Sequence, residues 1–364
     1  MCAASGELVI DLAALRQNYI ILDSKTPEGC ETACAIKADA YGIGMQNAAS
    51  ALWNAGARSF FVATLDEGVA LRGVLTDAVI YVLNGFLPVQ AHDYAAHRLI
   101  PVLNSLGDIL AYQSQARLSE SILPCALHFD TGMNRLGIPA YEAKKIEENQ
   151  SVLSGLEIKH IMTHFTSSEQ KDHPSMREQY NKFLDITNIF QDVKRSLCNS
   201  GGIFHAPFAH ADLTRPGIAL YGGNPAPEAE NPMCPVISLS APVLQVRNVQ
   251  KNETAGYNET YRFSGNTAVA TVSIGYADGL FRSLGDAGVL YWKGYALPIR
   301  GRVSMDLVVC DLINVPEKEY PQAYDAIEII GRRQTIDDLA HAAGTISYEI
   351  LTALGPRYHR SYIG

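Results

Sequence analysis

The runs LPCALHF at residues 123–129 and IKHIMTHF at residues 158–165 are short and apolar. A segment of helical period separates them, so this stretch predicts a strand–helix–strand unit. The alternation continues in both directions along the chain. The other candidate strands are ETACAIK (31–37), SFFVAT (59–64), AVIYVL (78–83), LIPVLN (99–104), SLCNS (196–200) and the run ending in GIALYG (217–222). Eight strands alternating with helices predict a TIM-like (β/α)8 barrel with a parallel sheet.

The sequence changes in character after about residue 230. Runs with alternating β-branched residues, separated by turn residues, replace the helical segments, and no comparably long helix is indicated before DDLAHAAG (337–344). This pattern predicts a mainly antiparallel β domain over residues 231–364, after a barrel domain over residues 1–230. The early segment ELVIDL (7–12) precedes the first barrel strand and is a candidate to pair with the C-terminal domain.

Length and charge limit the classes of function. The 364 residues exceed the usual size of a single hydrophobic core, which favours two domains. The formal charge of −9 and the lack of a Lys/Arg run argue against a nucleic-acid partner. The N-terminal region lacks the features of a signal peptide, and no apolar stretch is long enough to span a membrane. We therefore expect a soluble, cytoplasmic protein with no membrane partner.

The seven cysteines are odd in number and widely spaced. Cys30 and Cys34 form the only close pair, and no second pair accompanies them. This spacing does not favour a zinc site, so we expect no metal and interpret the cysteines as small buried residues or inert thiols.

Several candidate strands end in a residue able to do chemistry. These residues are Lys37, His128 with Asp130 just after it, His164, and Ser200 after the seventh strand. In barrels of this kind the active site lies at the carboxyl ends of the strands, and phosphate commonly binds at the loops after strands seven and eight. The segments 199–202 (NSGG) and 216–218 (PGI) occupy those two places.

The stretch AIKADAYGIG (35–44) is the most informative about chemistry. An apolar strand presents Lys37, and a turn of small residues with Tyr41 follows. Desolvation at a strand end disfavours the ammonium form and exposes a nucleophilic amine, which suits Schiff-base chemistry.

AIKADAYGIG resembles the pyridoxal-phosphate attachment motif of alanine racemases, which pair a (β/α)8 barrel with a C-terminal β domain. Further blocks similar to that family occur in the family's order and span nearly the whole chain. They are FDTGMNRLG (129–137), MTHF (162–165), NSGG (199–202), RPGIALYG (215–222), GYNETY (256–261), GYADGL (275–280) and GRVSMD (301–306).

The resemblance implies an isomerase that interconverts L- and D-alanine and supplies D-alanine for peptidoglycan of the cell wall. It implies that Lys37 carries pyridoxal phosphate as a Schiff base. Further cofactor-binding residues implied by the resemblance are Tyr41, Ser200, Gly217 and Ile218 at the phosphate, Arg215 facing the pyridine nitrogen, and His164. Glycines allow close backbone approach, and amides at a helix start bind an anion without a basic cluster.

Racemisation needs acid/base groups on both faces of the α-carbon. By the resemblance, Tyr257 acts on the L-enantiomer and Lys37 on the D-enantiomer. A free tyrosine has a pKa near 10 and therefore needs suitable neighbours, for which the resemblance supplies His164 and Arg215. The family's substrate-binding residues match Arg135, Met305, Asp306 and a gate tyrosine, Tyr276.

Two positions depart from many family members. His128 stands where they have a carbamylated lysine, and Ser196 stands where they have a histidine next to the arginine that faces the ring. Both departures change side chains expected to orient Arg135 and Arg215, because the residues that surround a binding side chain fix its geometry.

The family also implies a homodimer with shared active sites. Three alternatives stay open: a serine or broad-specificity racemase of the same fold, a basic amino-acid decarboxylase, and a noncatalytic pyridoxal-phosphate carrier. Arg215 and the GYNETY block argue against the decarboxylase. Tyr257 and the GRVSMD block favour an enzyme over the carrier, which would not need a second domain.

Overall fold

The computed structural model describes residues 6–364. Its contacts divide the chain into two compact units. The barrel unit contains residues 15–220 and 224–233, and the β unit contains the segment up to residue 14, residues 221–223 and residues 234–364. One of the seven cysteines, Cys2, lies outside the described residues.

The strands, in chain order, are β1 (Glu7–Asp11), β2 (Glu31–Thr32), β3 (Cys34–Ala35), β4 (Ser59–Val62), β5 (Val79–Val82), β6 (Ile100–Leu103), β7 (Leu123–His128), β8 (Leu156–Met162), β9 (Lys194–Ser196), β10 (Leu213–Thr214), β11 (Ile237–Val249), β12 (Thr254–Ala255), β13 (Tyr261–Arg262), β14 (Thr267–Val272), β15 (Val289–Trp292), β16 (Tyr295–Pro298), β17 (Val308–Asp311), β18 (Ala326–Ile330) and β19 (His359–Ile363).

The helices are α1 (Leu12–Asp23), α2 (Lys37–Tyr41), α3 (Met45–Asn54), α4 (Leu65–Val74), α5 (Ala91–Ala96), α6 (Leu106–Leu118), α7 (Ala140–Glu148), α8 (Pro174–Ile186), α9 (Ser200–His205), α10 (Ile336–Ala343) and α11 (Ser347–Thr352). Of the segments described, none is a helix that combines the length and the apolar character needed to cross a bilayer.

The barrel unit is a ring of parallel strands with helices between them. Strands β3 to β9 form one parallel sheet in sequence order, and β2 pairs in parallel with β10. Backbone hydrogen bonds close the ring, since the Ala33 N–H donates to Thr214 O (2.9 Å) and the Arg215 N–H donates to Cys198 O (2.8 Å). The predicted (β/α)8 architecture is confirmed.

The eighth strand lies earlier in the chain than the sequence suggested. The run GIALYG was expected to be that strand, but Ile218–Tyr221 is a short 3-10 helix and the strand is Leu213–Thr214. Pro216 has no N–H to donate to a sheet, so extended pairing ends before the apolar run begins. The seventh strand is likewise Lys194–Ser196, ahead of most of SLCNS.

The inside of the barrel is filled with side chains. One buried cluster is formed by seven strand residues and by Ala33, which lies between β2 and β3. The seven strand residues are Phe61, Tyr81, Ile100, Val102, Ala126, Met162 and Leu213. Tyr81 stacks on Phe61 with ring centroids 4.7 Å apart, and the His160 ring meets Tyr81 edge-on at 4.6 Å. The barrel is therefore a packed core that holds the strand ends rigidly.

The β unit is built on the 13-residue strand β11, which pairs antiparallel with β1, β14 and β18. Strand β1 lies between β11 and β19, and it runs parallel to β19. Helices α10 and α11 follow near the end of the unit. The mainly antiparallel character predicted for the C-terminal region is confirmed.

Candidate active site

Lys37 follows β3 and begins the short segment α2, which is a left-handed turn and not a right-handed helix. Residues Ala38, Asp39, Ala40 and Tyr41 have φ angles of 54, 53, 56 and 54°. For L-residues this conformation costs about 1–2 kcal/mol each, so other contacts must stabilise the turn. The Ala38 N–H donates to Glu67 Oε1 (2.7 Å), and the Met45 N–H donates to Asp39 Oδ1 (2.7 Å).

Glu67 also fixes the start of the neighbouring helix. Its other oxygen, Oε2, accepts from the Ala63 N–H (2.7 Å) and the Thr64 N–H (3.3 Å), while the Glu67 N–H donates to Thr64 Oγ1 (3.4 Å). One carboxylate thus ties the lysine turn to the capping box of α4. The sequence analysis did not single out this residue, although the capping-box pattern TLDE at 64–67 was present.

The surroundings of Lys37 favour its neutral amine. Burial lowers the pKa of Lys37, the positive charge of Arg135 lowers it further, and Glu67 partly opposes both effects. A lysine with a lowered pKa is more nucleophilic near neutral pH, which is the property required for covalent attachment to an aldehyde.

Ser200 and the loop after β10 form a compact set of hydrogen-bonding groups. Ser200 Oγ accepts from the Gly217 N–H (2.9 Å) and from the Ala219 N–H (3.2 Å). A Cβ placed on Gly217 would lie 2.3 Å from the Tyr41 hydroxyl, so only glycine leaves room for this approach. Because Ser200 Oγ accepts from both amides, its own O–H is left to donate, and this hydroxyl together with the Tyr41 phenol suits a phosphate group. Ile218, which lies between Gly217 and Ala219, begins a 3-10 helix.

Arg215 lies next to Ser196 in the barrel and is only 5% exposed. One Nη donates to Ser196 Oγ, and the other donates to Thr163 O at 2.6 Å. The Ser196 hydroxyl in turn donates to Leu213 O (2.6 Å). Burial lowers the pKa of Arg215 to about 10, so the guanidinium still carries its charge at neutral pH. Serine at position 196 therefore still orients the arginine.

His128 is held by Asn104. The Asn104 amide group donates to Leu83 O (3.0 Å) and Val102 O (2.9 Å), which leaves its oxygen facing His128 Nδ1 at 2.8 Å. The Nδ1 atom therefore carries the proton, and Nε2 is left as an acceptor. Burial, with Arg215 adding to it, lowers the pKa of His128 to about 4, so the ring is neutral. Asn104 was not predicted as a site residue.

His164 is also neutral. Burial lowers its pKa well below the usual value, and the charges of Arg215, Arg135 and Lys37 contribute in the same direction. The structure brings several residues near the strand ends of the barrel unit together, since Arg215 donates to Thr163 O, next to His164 in the chain, and Ser200 accepts from the Gly217 N–H. Arg135 itself has an exposed side chain.

The remaining predicted residues lie in the β unit. Tyr257 begins a 3-10 turn and is 69% exposed. Tyr276 begins a second 3-10 turn, whose backbone contacts the loop that carries Met305 and Asp306: the Tyr276 N–H donates to Ser304 O (3.1 Å) and the Ala277 N–H donates to Met305 O (2.9 Å). The structure thus brings Tyr276, Met305 and Asp306 together.

The comparisons with known proteins agree with this arrangement. Residues 10–225 match the family described as alanine racemase, N-terminal domain, and residues 236–362 match alanine racemase, C-terminal domain. The chain belongs to the alanine racemase family.

Relatives within that family cover almost the entire chain. The catabolic alanine racemase of Agrobacterium fabrum is 44% identical over 361 residues, covering 99% of this chain and 92% of the relative. An alanine racemase of Rhizobium meliloti is 41% identical over 374 residues, covering 100% and 98%. The crystal structure of alanine racemase from Bartonella henselae, with covalently bound pyridoxal phosphate, has a TM-score of 0.95 at 37% identity, covering 99% and 100%.

Membership in the alanine racemase family confirms four predictions made from the sequence: the family, the fold class, an isomerase that acts on alanine, and pyridoxal phosphate as the cofactor. The roles of individual residues stay predictions.

Proposed function

We propose that this alanine racemase works by a two-base mechanism in which Lys37 and Tyr257 exchange the α-proton of alanine. The observation that carries the proposal is Lys37 itself: it has a lowered pKa and lies on a left-handed turn anchored by Glu67. A barrel domain over residues 1–230 would bind the cofactor, and the domain over residues 231–364 would supply the second base.

Pyridoxal phosphate fits the groups that the barrel unit provides. Tyr41, Ser200 and the loop at Gly217 and Ile218 would hold its phosphate, because hydroxyl and amide groups can donate hydrogen bonds to an anion and Gly217 leaves room for close approach. Arg215 would face the pyridine nitrogen, with His164 beside it. When bound, the cofactor supplies a conjugated ring that withdraws electrons from the α-carbon of the substrate.

Arg215 would limit the withdrawal of electrons from the α-carbon by the cofactor ring. A guanidinium donates hydrogen bonds and does not accept them, and its positive charge disfavours protonation of a nitrogen that faces it. This arginine receives its orientation from the hydroxyl of Ser196 and the carbonyl of Thr163. The arrangement favours prompt return of the proton to the α-carbon over side reactions such as transamination.

The two bases would act on opposite faces of the α-carbon. The Lys37 amine takes the α-proton of D-alanine, and the Tyr257 hydroxyl takes that of L-alanine. Arg135 binds the carboxylate, whereas Met305, Asp306 and Tyr276 close the substrate side. Alanine has a small side chain, and a close wall formed by these residues would favour it over larger amino acids.

We further propose a homodimer with shared sites, in which Lys37 faces the partner subunit's Tyr257. The high exposure of Tyr257, at 69%, supports this, because an isolated phenol in water has no group to hold its proton-transfer geometry. We place the enzyme in the cytoplasm, making D-alanine for peptidoglycan. Cys30, Cys34, Cys125, Cys198 and Cys310 are buried free thiols, which agrees with a reducing compartment.

The decisive experiment measures the loss of optical rotation of L-alanine with purified protein, with L-serine and several other amino acids in parallel. We expect racemisation, with alanine as the preferred substrate. Borohydride reduction followed by peptide mapping should locate the cofactor on Lys37. A preference for serine, or a modified lysine elsewhere, would overturn the assignment.

A further inference from the structure

Arg357, in the C-terminal segment of the β unit, joins two aspartates. Its Nε donates to Asp278 Oδ1 at 2.7 Å, and one Nη donates to Asp306 Oδ1 at 2.7 Å. The two partners differ sharply in environment, because the Asp278 side chain is fully buried and the Asp306 side chain is 54% exposed. Arg357 thus connects an interior group to a surface loop.

Asp278 belongs to the turn that carries Tyr276. Its second oxygen, Oδ2, accepts from the Gly275 N–H (3.0 Å) and closes that turn. The C-terminal segment also holds the turn from outside, since the Tyr358 hydroxyl donates to Asp278 O (2.6 Å) and the Gly355 N–H donates to the same oxygen (3.2 Å). The turn therefore has a fixed position in the unit.

In the loop that carries Met305 and Asp306, the side chains are held less firmly than the backbone. Its backbone meets the Tyr276 turn so closely that a Cβ on Gly275 would lie 2.2 Å from Met305 O. Met305 is 53% exposed, so packing alone does not fix its side chain. The bond from Arg357 to Asp306 is the charged link between this loop and the buried Asp278.

We propose that Arg357 is a positioning residue of the racemase, which holds Asp306 and thereby fixes the substrate wall formed by Met305 and Tyr276. A planar guanidinium suits this role because its two edges donate in defined directions to two carboxylates at once. Lysine has a single ammonium group and cannot reproduce both directed bonds. The inference rests on the proposed function, which places Met305, Asp306 and Tyr276 on the substrate side.

The test uses the holoenzyme and the variants Arg357→Lys, Asp306→Asn and their combination. Arg357→Lys keeps a cation beside the buried Asp278, so we expect a folded protein with bound cofactor. We expect its KM for L-alanine to rise about tenfold while kcat changes by less than about twofold, the pattern of a lost binding wall. Because Arg357 acts through Asp306, the effect of Arg357→Lys should disappear in the Asp306→Asn background.

A second measurement does not depend on activity. Hydrogen exchange of the Tyr276 and Ala277 amides, which donate to Ser304 O and Met305 O, should become faster in Arg357→Lys. Arg300→Lys is the matched control: Arg300 donates to the buried Asp311 (3.2 Å) in the same unit, and it should lower the melting temperature without changing KM or the exchange of these amides.

The outcomes separate the inference from the proposed function. If the wild type does not racemise alanine, the proposed function fails, and the hydrogen exchange still tests the role of Arg357 in holding the loop. If the wild type is active but the effects of Arg357→Lys and Asp306→Asn on KM are additive, or exchange of the two amides is unchanged, the positioning role is wrong.

Discussion

At the scale of single residues, Arg215 shows how neutral groups hold a buried charge. Its guanidinium donates to the Ser196 hydroxyl and the Thr163 carbonyl, and burial lowers its pKa only to about 10. Because the Ser196 O–H donates its hydrogen bond to Leu213 O, the serine oxygen faces the arginine as an acceptor. A neutral hydroxyl and a backbone carbonyl thus suffice to orient this buried guanidinium.

Tyr257→Phe should remove most racemisation and leave cofactor binding intact, because the ring is kept and only the hydroxyl that moves the proton is lost. Removal of a general acid/base group typically costs about 10²–10⁴-fold in rate. The measurement is the exchange of the α-hydrogen of L-alanine with deuterated solvent, alongside the racemisation rate.

Tyr324→Phe is a matched control for this change, since Tyr324 is 81% exposed and lies in the same unit. It should behave like the wild type. Undiminished α-hydrogen exchange in Tyr257→Phe would show that another residue takes the proton of the L-enantiomer.

The activity should not depend on bicarbonate, because position 128 holds a histidine where a lysine would be carbamylated. The His128 ring is neutral and its Nδ1 proton is engaged by Asn104, so it cannot form a comparable anion. We expect equal rates in buffers with and without bicarbonate and no added mass of carbon dioxide in the intact protein. A rate that rises with bicarbonate would contradict this assignment.

The residues that the sequence predicts for the cofactor site lie within short motifs. Lys37, Ser200 and Gly217 each lie in a block whose neighbouring residues also match the family. In the structure, Ser200 is hydrogen-bonded to Gly217. Glu67 and Asn104 were missed because they act on backbone atoms or on another side chain from distant positions. A capping box indicates where a helix starts and does not indicate which loop its carboxylate will reach.

At the scale of elements, the left-handed turn after β3 depends on one carboxylate. Glu67→Gln leaves a single acceptor oxygen for three N–H groups, those of Ala38, Ala63 and Thr64. Loss of a hydrogen bond to a charged group costs about 1.5–3 kcal/mol. We therefore expect a lower melting temperature and weaker binding of pyridoxal phosphate, measured by equilibrium dialysis.

Asp338→Asn supplies the matched control for Glu67→Gln. Asp338 closes the capping box of α10, where its Oδ2 accepts from the Thr335 N–H at 2.8 Å, but it lies in the β unit. It should lower the melting temperature and leave cofactor affinity unchanged. Equal cofactor affinity in Glu67→Gln and wild type would show that the turn holds its shape without Glu67.

Burial of His160 inside the barrel should make the free energy of unfolding decrease at acidic pH. His160 is 2% exposed, and burial lowers its pKa from 6.5 to about 3. Between these values the unfolded chain binds a proton that the folded chain does not, so the free energy of unfolding falls as pH falls, by about 1.4 kcal/mol per pH unit for one proton.

His160→Phe should flatten that dependence by about the same slope of 1.4 kcal/mol per pH unit, measured by denaturant unfolding between pH 6 and pH 4. The difference between variant and wild type at pH 7.5 gives the packing effect alone, because the histidine is neutral there in both states. An unchanged slope would mean that His160 is protonated in the folded barrel.

The elements themselves were largely predictable, since short buried runs such as β4 and β5 are bounded by clear helical segments. The exception is the eighth strand. Both Leu213–Thr214 and Ile218–Tyr221 are buried, and periodicity cannot distinguish a two-residue strand from a single helical turn. Only the pairing of β10 with β2 decides between them.

At the scale of the whole molecule, the proposed dimer predicts complementation between two inactive variants. If Lys37 of one subunit works with the partner subunit's Tyr257, a heterodimer of Lys37→Ala and Tyr257→Phe has one intact site and one site with both defects. Random pairing makes half of the dimers mixed, so about a quarter of the wild-type activity should return, from two-fold symmetry.

Subunit exchange must be confirmed by mass, and each variant alone supplies the baseline. Exchange without recovery would mean that both bases come from one chain. In that case the dimer would have no part in building the site.

Strand β1 has a consequence for biosynthesis. It precedes every strand of the barrel in the chain, yet its two partners are the much later strands β11 and β19: Glu7 pairs with Ser240 and with His359. The β unit cannot complete its main sheet until β19 has been synthesised, whereas the strands of the barrel are all made earlier. During that interval β1 lacks β19 as a neighbour, and a strand with an unpaired edge is prone to associate with other chains. A chain whose synthesis stops before β19 would therefore contain all the barrel strands together with an aggregation-prone β1.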